Sequence, residues 1–102
     1  MWLIIVYDCP MTTPDARHHY TLFRKLLLQR NFHQLQNSLY VRHFSTKAAA
    51  DACVQHLRLH IPKGADVVFF MVTDKQYAMT KEYFGTREVQ NKPYEPEQIQ
   101  LL

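Results

Sequence analysis

Two uninterrupted apolar segments constrain the fold of this chain more than any other feature. Residues 2–7 read Trp-Leu-Ile-Ile-Val-Tyr, and residues 67–72 read Val-Val-Phe-Phe-Met-Val. Both are rich in β-branched and aromatic residues, and neither alternates apolar with polar residues as a strand with one wet face does. Each is far shorter than the ~20 residues of a membrane-spanning helix. The two segments are therefore predicted to be strands that are buried on both faces.

Length and composition limit the class of protein. With 102 residues, 47% hydrophobic residues and only two Gly, the chain is predicted to be one folded domain and not a disordered segment. The two cysteines, Cys9 and Cys53, are too few for a disulfide framework. We expect a cytoplasmic protein with reduced thiols and no membrane partner.

Two segments carry helix signals. Thr13, Pro14 and Asp15 are typical of an N-cap, a first helical position and a first turn, and this helix is expected to run to about Arg30. Its apolar stripe comprises Ala16, Tyr20, Phe23 and Leu27. The second helix is expected from Ser45-Thr46 to about His60, with an apolar face of Ala50, Val54, Leu57 and Ile61.

The remaining segments are less distinct. Residues 32–44 are strand-like but contain Asn37-Ser38, which permits either one bulged strand or two strands around a tight turn. Residues 77–84 suggest a weaker strand or a short helix, and residues 98–102 suggest an edge strand. The element order predicts a single α+β domain of the ferredoxin-like kind over residues 1–102, an antiparallel sheet with two helices on one face. Residues 86–102 would be a C-terminal extension ending in that edge strand.

The predicted architecture leaves one sheet face uncovered. Two helices can cover only one face of a four-stranded sheet, yet the two central strands are apolar on both. A second copy of the same chain is the simplest cover, so we expect a homodimer through the other face.

Asp8 is the first candidate functional residue. It ends the first buried strand just before a loop, where a carboxylate can bind a hard cation or simply cap a turn. If two sheet faces pair, two Asp8 side chains could approach each other. Magnesium held by such carboxylates would activate water and polarise a phosphodiester.

A second group of candidates is basic. Residues 1–63 hold eight Lys or Arg against three Asp, a net charge of +5, which permits a polyanionic partner. On the first helix, Arg17, His18, Thr21, Arg24 and Lys25 fall within a third of the circumference. Such a stripe can neutralise phosphates, although an ordinary solvated helix face has the same pattern. Arg42 and Lys47 would extend the patch.

Other residues carry weaker signals. Cys53, His56 and His60 share one flank of the second helix, but on a straight helix they span ~10 Å, too far for one zinc ion. Ser38 has no base or orienting acid that can be placed beside it, and a turn hydroxyl that bonds backbone or phosphate is the simpler interpretation.

These residues together resemble the CRISPR-associated protein two family, the small subunit of the spacer-acquisition machinery, over nearly the whole chain. The matching pieces are Tyr7-Asp8 with Pro10 and Thr13, Arg17, Phe23-Arg24-Lys25, Leu27-Leu28, Phe32, Gln36-x-Ser38-Leu39-Tyr40, Thr73-x-Lys75-Gln76-Tyr77, Gly85 and Ile99-x-Leu101-Leu102. Asn31 stands where a glycine is usual in that family.

The resemblance implies a function. It implies a ferredoxin-like homodimer that bridges two dimers of the large integrase subunit and holds foreign double-stranded DNA, with RNA as the alternative nucleic acid. It also implies magnesium or manganese at Asp8 as metal ligand and catalytic residue of an endonuclease, an activity described for some members while others act only as scaffolds. Arg17, Arg24, Lys25, Ser38 and Arg42 become the nucleic-acid-binding candidates.

Two further functions remain open from the residues alone. One is a stand-alone toxin-type ribonuclease on a similar fold. The other is a non-catalytic ferredoxin-like assembly module. Association with a large integrase subunit would separate the first interpretation from both.

Overall fold

The computed structural model describes residues 1–90 of the chain. The strands are β1 (Trp2–Asp8), β2 (His33–Gln36), β3 (Leu39–His43), β4 (Asp66–Val72), β5 (Tyr83–Phe84) and β6 (Arg87–Glu88). The helices are α1 (Pro14–Gln29), α2 (Lys47–Leu57), which continues into a 3-10 turn over Arg58–His60, and α3 (Asp74–Ala78). Strands β1 to β4 form an antiparallel sheet in the order β2-β3-β1-β4. The predicted α+β, ferredoxin-like fold is confirmed.

The predicted caps of the two long helices are present. The Thr13 hydroxyl accepts a hydrogen bond from the Ala16 amide at 3.0 Å, and the Thr46 hydroxyl accepts one from the Ala49 amide at 3.1 Å. Each cap satisfies a first-turn amide that has no partner within its helix. Both helices therefore begin where the sequence predicts.

The first face of the sheet holds the main core. Odd-numbered residues of β1 (Leu3, Ile5 and Tyr7) contribute to the same buried cluster as Phe23 and Leu27 of α1. Ala50 and Leu57 of α2 complete that cluster. This face is therefore closed by the two helices, as predicted.

The second face is only partly covered within one chain. The short helix α3 lies over one end of it, where Tyr77 stacks on Trp2 with ring centroids 3.9 Å apart and an interplanar angle of 16°. Farther along β4, Val68 and Phe70 stay 48% and 50% exposed. Within one chain, burial on both faces thus holds for most of β1, whereas β4 keeps exposed the side that the expected homodimer would cover. We call the part formed by Ile4, Val6, Val68 and Phe70 the open face.

The segment that was ambiguous in the sequence forms two strands. Asn37-Ser38 lies between β2 and β3, and the pairing shifts register between Gln34 and Gln36. Both features that the sequence suggested, a turn and a local irregularity, are therefore present together.

Residues 77–84 differ in part from the prediction. The helical part starts earlier, at Asp74, because Thr73 and Gln76 form a reciprocal capping box. The strand part is β5, which pairs only with β6 in a separate hairpin around Gly85. The predicted edge strand at residues 98–102 lies outside the described residues. Within residues 1–90, no helix has both the length and the apolar character needed to cross a membrane.

Candidate metal and nucleic-acid site

Asp8 is the last residue of β1 and is exposed. Side chains alternate along a strand, so Asp8 lies on the same face as Trp2, Ile4 and Val6. The carboxylate therefore stands at the edge of the open face, away from the helices.

Asp66 is the acidic residue that sequence reasoning missed. It begins β4 and is the register partner of Asp8. Directly opposed residues of an antiparallel pair have Cβ atoms about 4.5–5.5 Å apart, on the same face of the sheet. The signal was present in the sequence, since an antiparallel neighbour of β1 must begin where β1 ends, and Asp66 is the residue just before the second apolar run.

The loops beside the two aspartates touch each other. Gly64, two residues before Asp66, has φ +81°. A Cβ at this position would lie 3.3 Å from Pro10 Cγ, which is two residues after Asp8. The two chain segments are therefore packed closely next to the acidic pair.

The residues on either side of Asp8 in the chain belong to the core. Burial, together with the neighbouring Tyr40 and Tyr20 phenols, raises the pKa of Tyr7 far above its ordinary value, so that its phenol stays neutral at physiological pH. Burial and the nearby Asp8 charge likewise raise the pKa of the Cys9 thiol. Neither side chain is poised to act as a nucleophile or a base.

Ser38 borders the same end of the sheet. Its carbonyl accepts a hydrogen bond from the Tyr7 amide at 3.0 Å, and the Tyr20 hydroxyl donates to the Asn37 carbonyl at 3.3 Å. The turn is thus tied both to the strand that carries Asp8 and to α1. Ser38 therefore lies in a turn at the same end of the sheet as Asp8.

The basic candidates on α1 contact different neighbours. Arg17 is exposed and donates through Nη1 to the Met11 carbonyl at 3.1 Å. Arg24 leans toward β2 and donates through Nη2 to Gln34 Oε1 at 3.2 Å. Lys25 instead lines a shallow groove between α1 and the 3-10 turn, together with His60. Because of this divergence, Arg24 and Lys25 would meet different parts of a bound polyanion.

Arg42 lies elsewhere. It is the register partner of Leu3, so it projects toward the helix face at the opposite end of β1 from Asp8. Its Nη1 donates to the Arg30 carbonyl at 2.8 Å. Sequence reasoning extended the α1 patch to Arg42, but the structure places this residue beside the end of α1.

The three zinc-ligand candidates, Cys53, His56 and His60, all lie in the described part of the chain. No group of three or more His, Cys, Asp or Glu residues there could hold a metal ion. The His56 and His60 rings are 5.0 Å apart, and Cys53 is half-buried with a pKa raised by burial.

Comparison with known proteins agrees with this fold. The model of the family described as CRISPR associated protein Cas2 matches residues 1–80. This chain belongs to the Cas2 family. A CRISPR-associated endoribonuclease Cas2 of Parvibaculum lavamentivorans is 37% identical over 102 residues, which cover all of both chains. Another, from Paracidovorax avenae, is 33% identical over 102 residues, 100% of this chain and 94% of that protein.

A solved structure supports the Cas2 fold independently. The crystal structure of Streptococcus pyogenes Cas2 at pH 6.5 superposes with a TM-score of 0.63 at 20% identity, covering 82% of this chain and all of that one. At this level of identity the likeness concerns the fold. Family membership gives the chain a CRISPR-associated role.

Proposed function

We propose that this Cas2-family chain is the small subunit of a CRISPR adaptation complex, which binds foreign DNA and bridges integrase subunits as a homodimer. We also propose a magnesium-dependent phosphodiesterase activity, centred on Asp8. The observation that carries both parts is the acidic pair Asp8 and Asp66 at the edge of an exposed apolar sheet face.

The open face supports the homodimer. Val68 and Phe70 expose about half of their side chains in a single chain, flanked by the half-buried Ile4 and Val6. Burying apolar surface stabilises an association by about 25 cal/mol for each Å² removed from water. In a symmetric dimer the same patch of both copies is used. Packing two open faces together would then bring the two acidic pairs toward each other.

The carboxylates fit a magnesium ion. Like charges directly opposite each other across a strand pair are unfavourable, and a divalent cation relieves that repulsion. Mg²⁺ is commonly held by one or two carboxylates, with water and substrate phosphate completing its shell. When bound, the metal would polarise the scissile phosphate and lower the pKa of a coordinated water.

The protein side chains have separate tasks in this proposal. Asp8 holds the cation, with Asp66 beside it as an auxiliary ligand. Arg17, Arg24 and Lys25 hold the phosphate backbone on either side of α1, without reading bases. Relatives named endoribonuclease support a nuclease activity. The cleavage assay described next determines whether DNA or RNA is the nucleic acid that is cut.

The decisive experiment compares wild type with Asp8→Ala and with Asp51→Asn, a control at an exposed ion pair on α2. Cleavage of duplex DNA and of single-stranded RNA is measured with Mg²⁺ and with chelator, alongside spacer integration with the large subunit. We expect cleavage to be lost in Asp8→Ala and kept in the control. Equal cleavage by wild type and Asp8→Ala would overturn the catalytic part.

The integration assay tests the other part. Co-purification with the large subunit and Cas2-dependent integration are expected. Nuclease activity without any association with that subunit would instead indicate a stand-alone ribonuclease, and the absence of both activities would indicate an assembly module.

A further inference from the structure

A cluster of basic side chains lies where α1 ends beside α2, on the opposite face of the sheet from Asp8. It consists of Arg30, Arg42, His56 and His60. The Arg30 guanidinium contacts His56 Nε2, and the His56 and His60 ring centroids are 5.0 Å apart. The cluster therefore joins the end of α1, strand β3, helix α2 and the 3-10 turn.

Arg42 is held in a defined orientation. Its Nη1 donates to the Arg30 carbonyl at 2.8 Å, and its guanidinium carbon lies 4.4 Å from the centre of the Phe44 ring. One hydrogen bond and one stacking contact fix the plane of the group. The other guanidinium N–H groups have no protein acceptor among the described residues, so they can donate to a ligand.

The cluster has no acidic counterpart in the described part of the chain. The ion pairs there involve Asp15, Asp51 and Asp74, and none includes a member of the cluster. Burial, Arg30 and His60 all lower the pKa of His56. Like charges gathered without a counter-ion repel one another, and a bound anion would remove that repulsion.

We propose that Arg30, Arg42 and His56 form a binding site for an oxyanion of the phosphate class. Guanidinium groups pair with phosphate oxygens through two parallel hydrogen bonds. The positive charges of Arg30 and Arg42 both act on Cys53 of α2, which places the two guanidinium groups in one region. Arg42 pairs with Leu3, five residues before Asp8, or about 16 Å along the strand. The site is thus separate from the acidic pair and does not depend on the nuclease activity proposed above.

A purely structural role is the competing explanation. Cations at helix C-termini stabilise the last carbonyls and the negative end of the helix dipole, and both α1 and α2 end here. Such a role requires no anion, so a binding measurement separates the two explanations.

The test uses sulfate, whose charge does not change between pH 6 and pH 8. ¹⁵N-labelled full-length protein is titrated with sodium sulfate while sodium chloride keeps the ionic strength constant. We expect saturable chemical-shift changes at the cluster. Arg30→Gln and Arg42→Gln should each weaken binding about tenfold, the order expected for one charged hydrogen bond. Arg58→Gln, an equal loss of charge on the neighbouring 3-10 turn, should leave binding unchanged.

The pH dependence provides a second readout. Arg30 on α1 and His60 on the 3-10 turn face His56, and Arg42 on β3 acts together with Arg30 on Cys53 of α2. Wild type should bind sulfate more tightly at pH 6 than at pH 8, and His56→Gln should lose that difference. Binding that does not saturate, or that Arg58→Gln weakens as much as Arg30→Gln, would overturn the proposal.

Competition identifies the source of the phosphate group. If sulfate displaces a short oligonucleotide from wild type but not from Arg42→Gln, the site takes a backbone phosphate. If inorganic phosphate saturates the site while oligonucleotide binding is unchanged, it takes a free phosphate compound. Either result supports the site. The sulfate titration is made without divalent metal, so failure of the nuclease proposal would be seen separately.

Discussion

Asp8 and Asp66 are direct register partners across β1 and β4, one at the end of its strand and the other at the start. Because of this pairing, one substitution is expected to improve stability and to weaken metal binding. Asp66→Asn should raise the free energy of unfolding without metal by about 0.2–1 kcal/mol, because it removes a like-charge pair. The same change should increase the Mg²⁺ concentration needed for half-maximal cleavage severalfold.

Chemical denaturation and a metal titration of cleavage measure the two effects of Asp66→Asn. Asp51→Asn is the matched control, since it removes a carboxylate from the Lys47 ion pair on α2 and leaves β4 unchanged. A drop in stability together with unchanged metal dependence would show that Asp66 is not a ligand.

The basic residues of α1 should act through phosphates and not through bases. Arg17→Glu and Arg24→Glu should weaken duplex binding for every sequence tested and reduce the slope of log K against log salt by about one for each phosphate that is no longer neutralised. Binding at several salt concentrations measures this, with Arg87→Glu on β6 as the control. Unchanged binding by both variants would remove α1 from the interface.

The open face should hold the two copies together. Phe70→Glu places a charge at the centre of that face, where dimerisation would desolvate it, and should weaken the dimer at least about a hundredfold. The fold should survive, because Phe70 is already 50% exposed in one chain. Sedimentation velocity measures the association. Leu59→Glu, at a residue 74% exposed on the 3-10 turn, is the control. A stable Phe70→Glu dimer would place the interface elsewhere.

The ion pair at Asp74 should make stability depend on pH. The N-terminal amine at 2.5 Å, and His43 Nε2 at 3.0 Å, hold the pKa of Asp74 below its ordinary value of 3.8. A lowered folded-state pKa stabilises the protein above the unfolded-state value, and this gain is lost as the pH falls through the folded-state pKa.

Asp74→Asn should therefore cost up to about 1 kcal/mol at pH 7, a small amount because the carboxylate is 39% exposed. The difference from wild type should close as the pH falls below 3.8. Urea denaturation at several pH values measures it. A difference that stays constant with pH would point to altered packing or helix capping instead.

The stack of Tyr77 on Trp2 should anchor α3 to the sheet. Tyr77→Ala removes a fully packed ring and should cost about 3–5 kcal/mol, whereas Tyr77→Phe keeps the ring and should cost much less. Trp2 is the only tryptophan in the chain, so its fluorescence reports unfolding directly. Equal destabilisation in both variants would assign the effect to the hydroxyl.

The sequence predicted the elements whose signals are local. Thr13 and Thr46 cap the helices they precede, and the apolar run of β1 lies at the centre of the sheet. Asn31 has φ +65°, a left-handed conformation that Gly or Asn adopts readily, which explains why it can follow α1 where relatives are expected to have Gly.

The features that the sequence did not predict depend on pairing between distant segments. Asp66 gains its importance only from the register with Asp8, and Arg42 is separated from Arg17 because β3 places it beside Arg30 at the far end of α1. On α1, Arg24 contacts Gln34 of β2, whereas Lys25 lines a groove beside the 3-10 turn. Helical spacing places residues on one side of a helix but does not show which neighbours draw them apart.

The close approach of Gly64 to Pro10 makes the geometry of the two aspartates sensitive to a position that carries no functional group. A methyl group there would be strained by its backbone angle and would press on the neighbouring ring, so one loop would have to yield. Variation at this glycine would therefore disable the proposed cation binding even in a chain whose acidic residues are all intact.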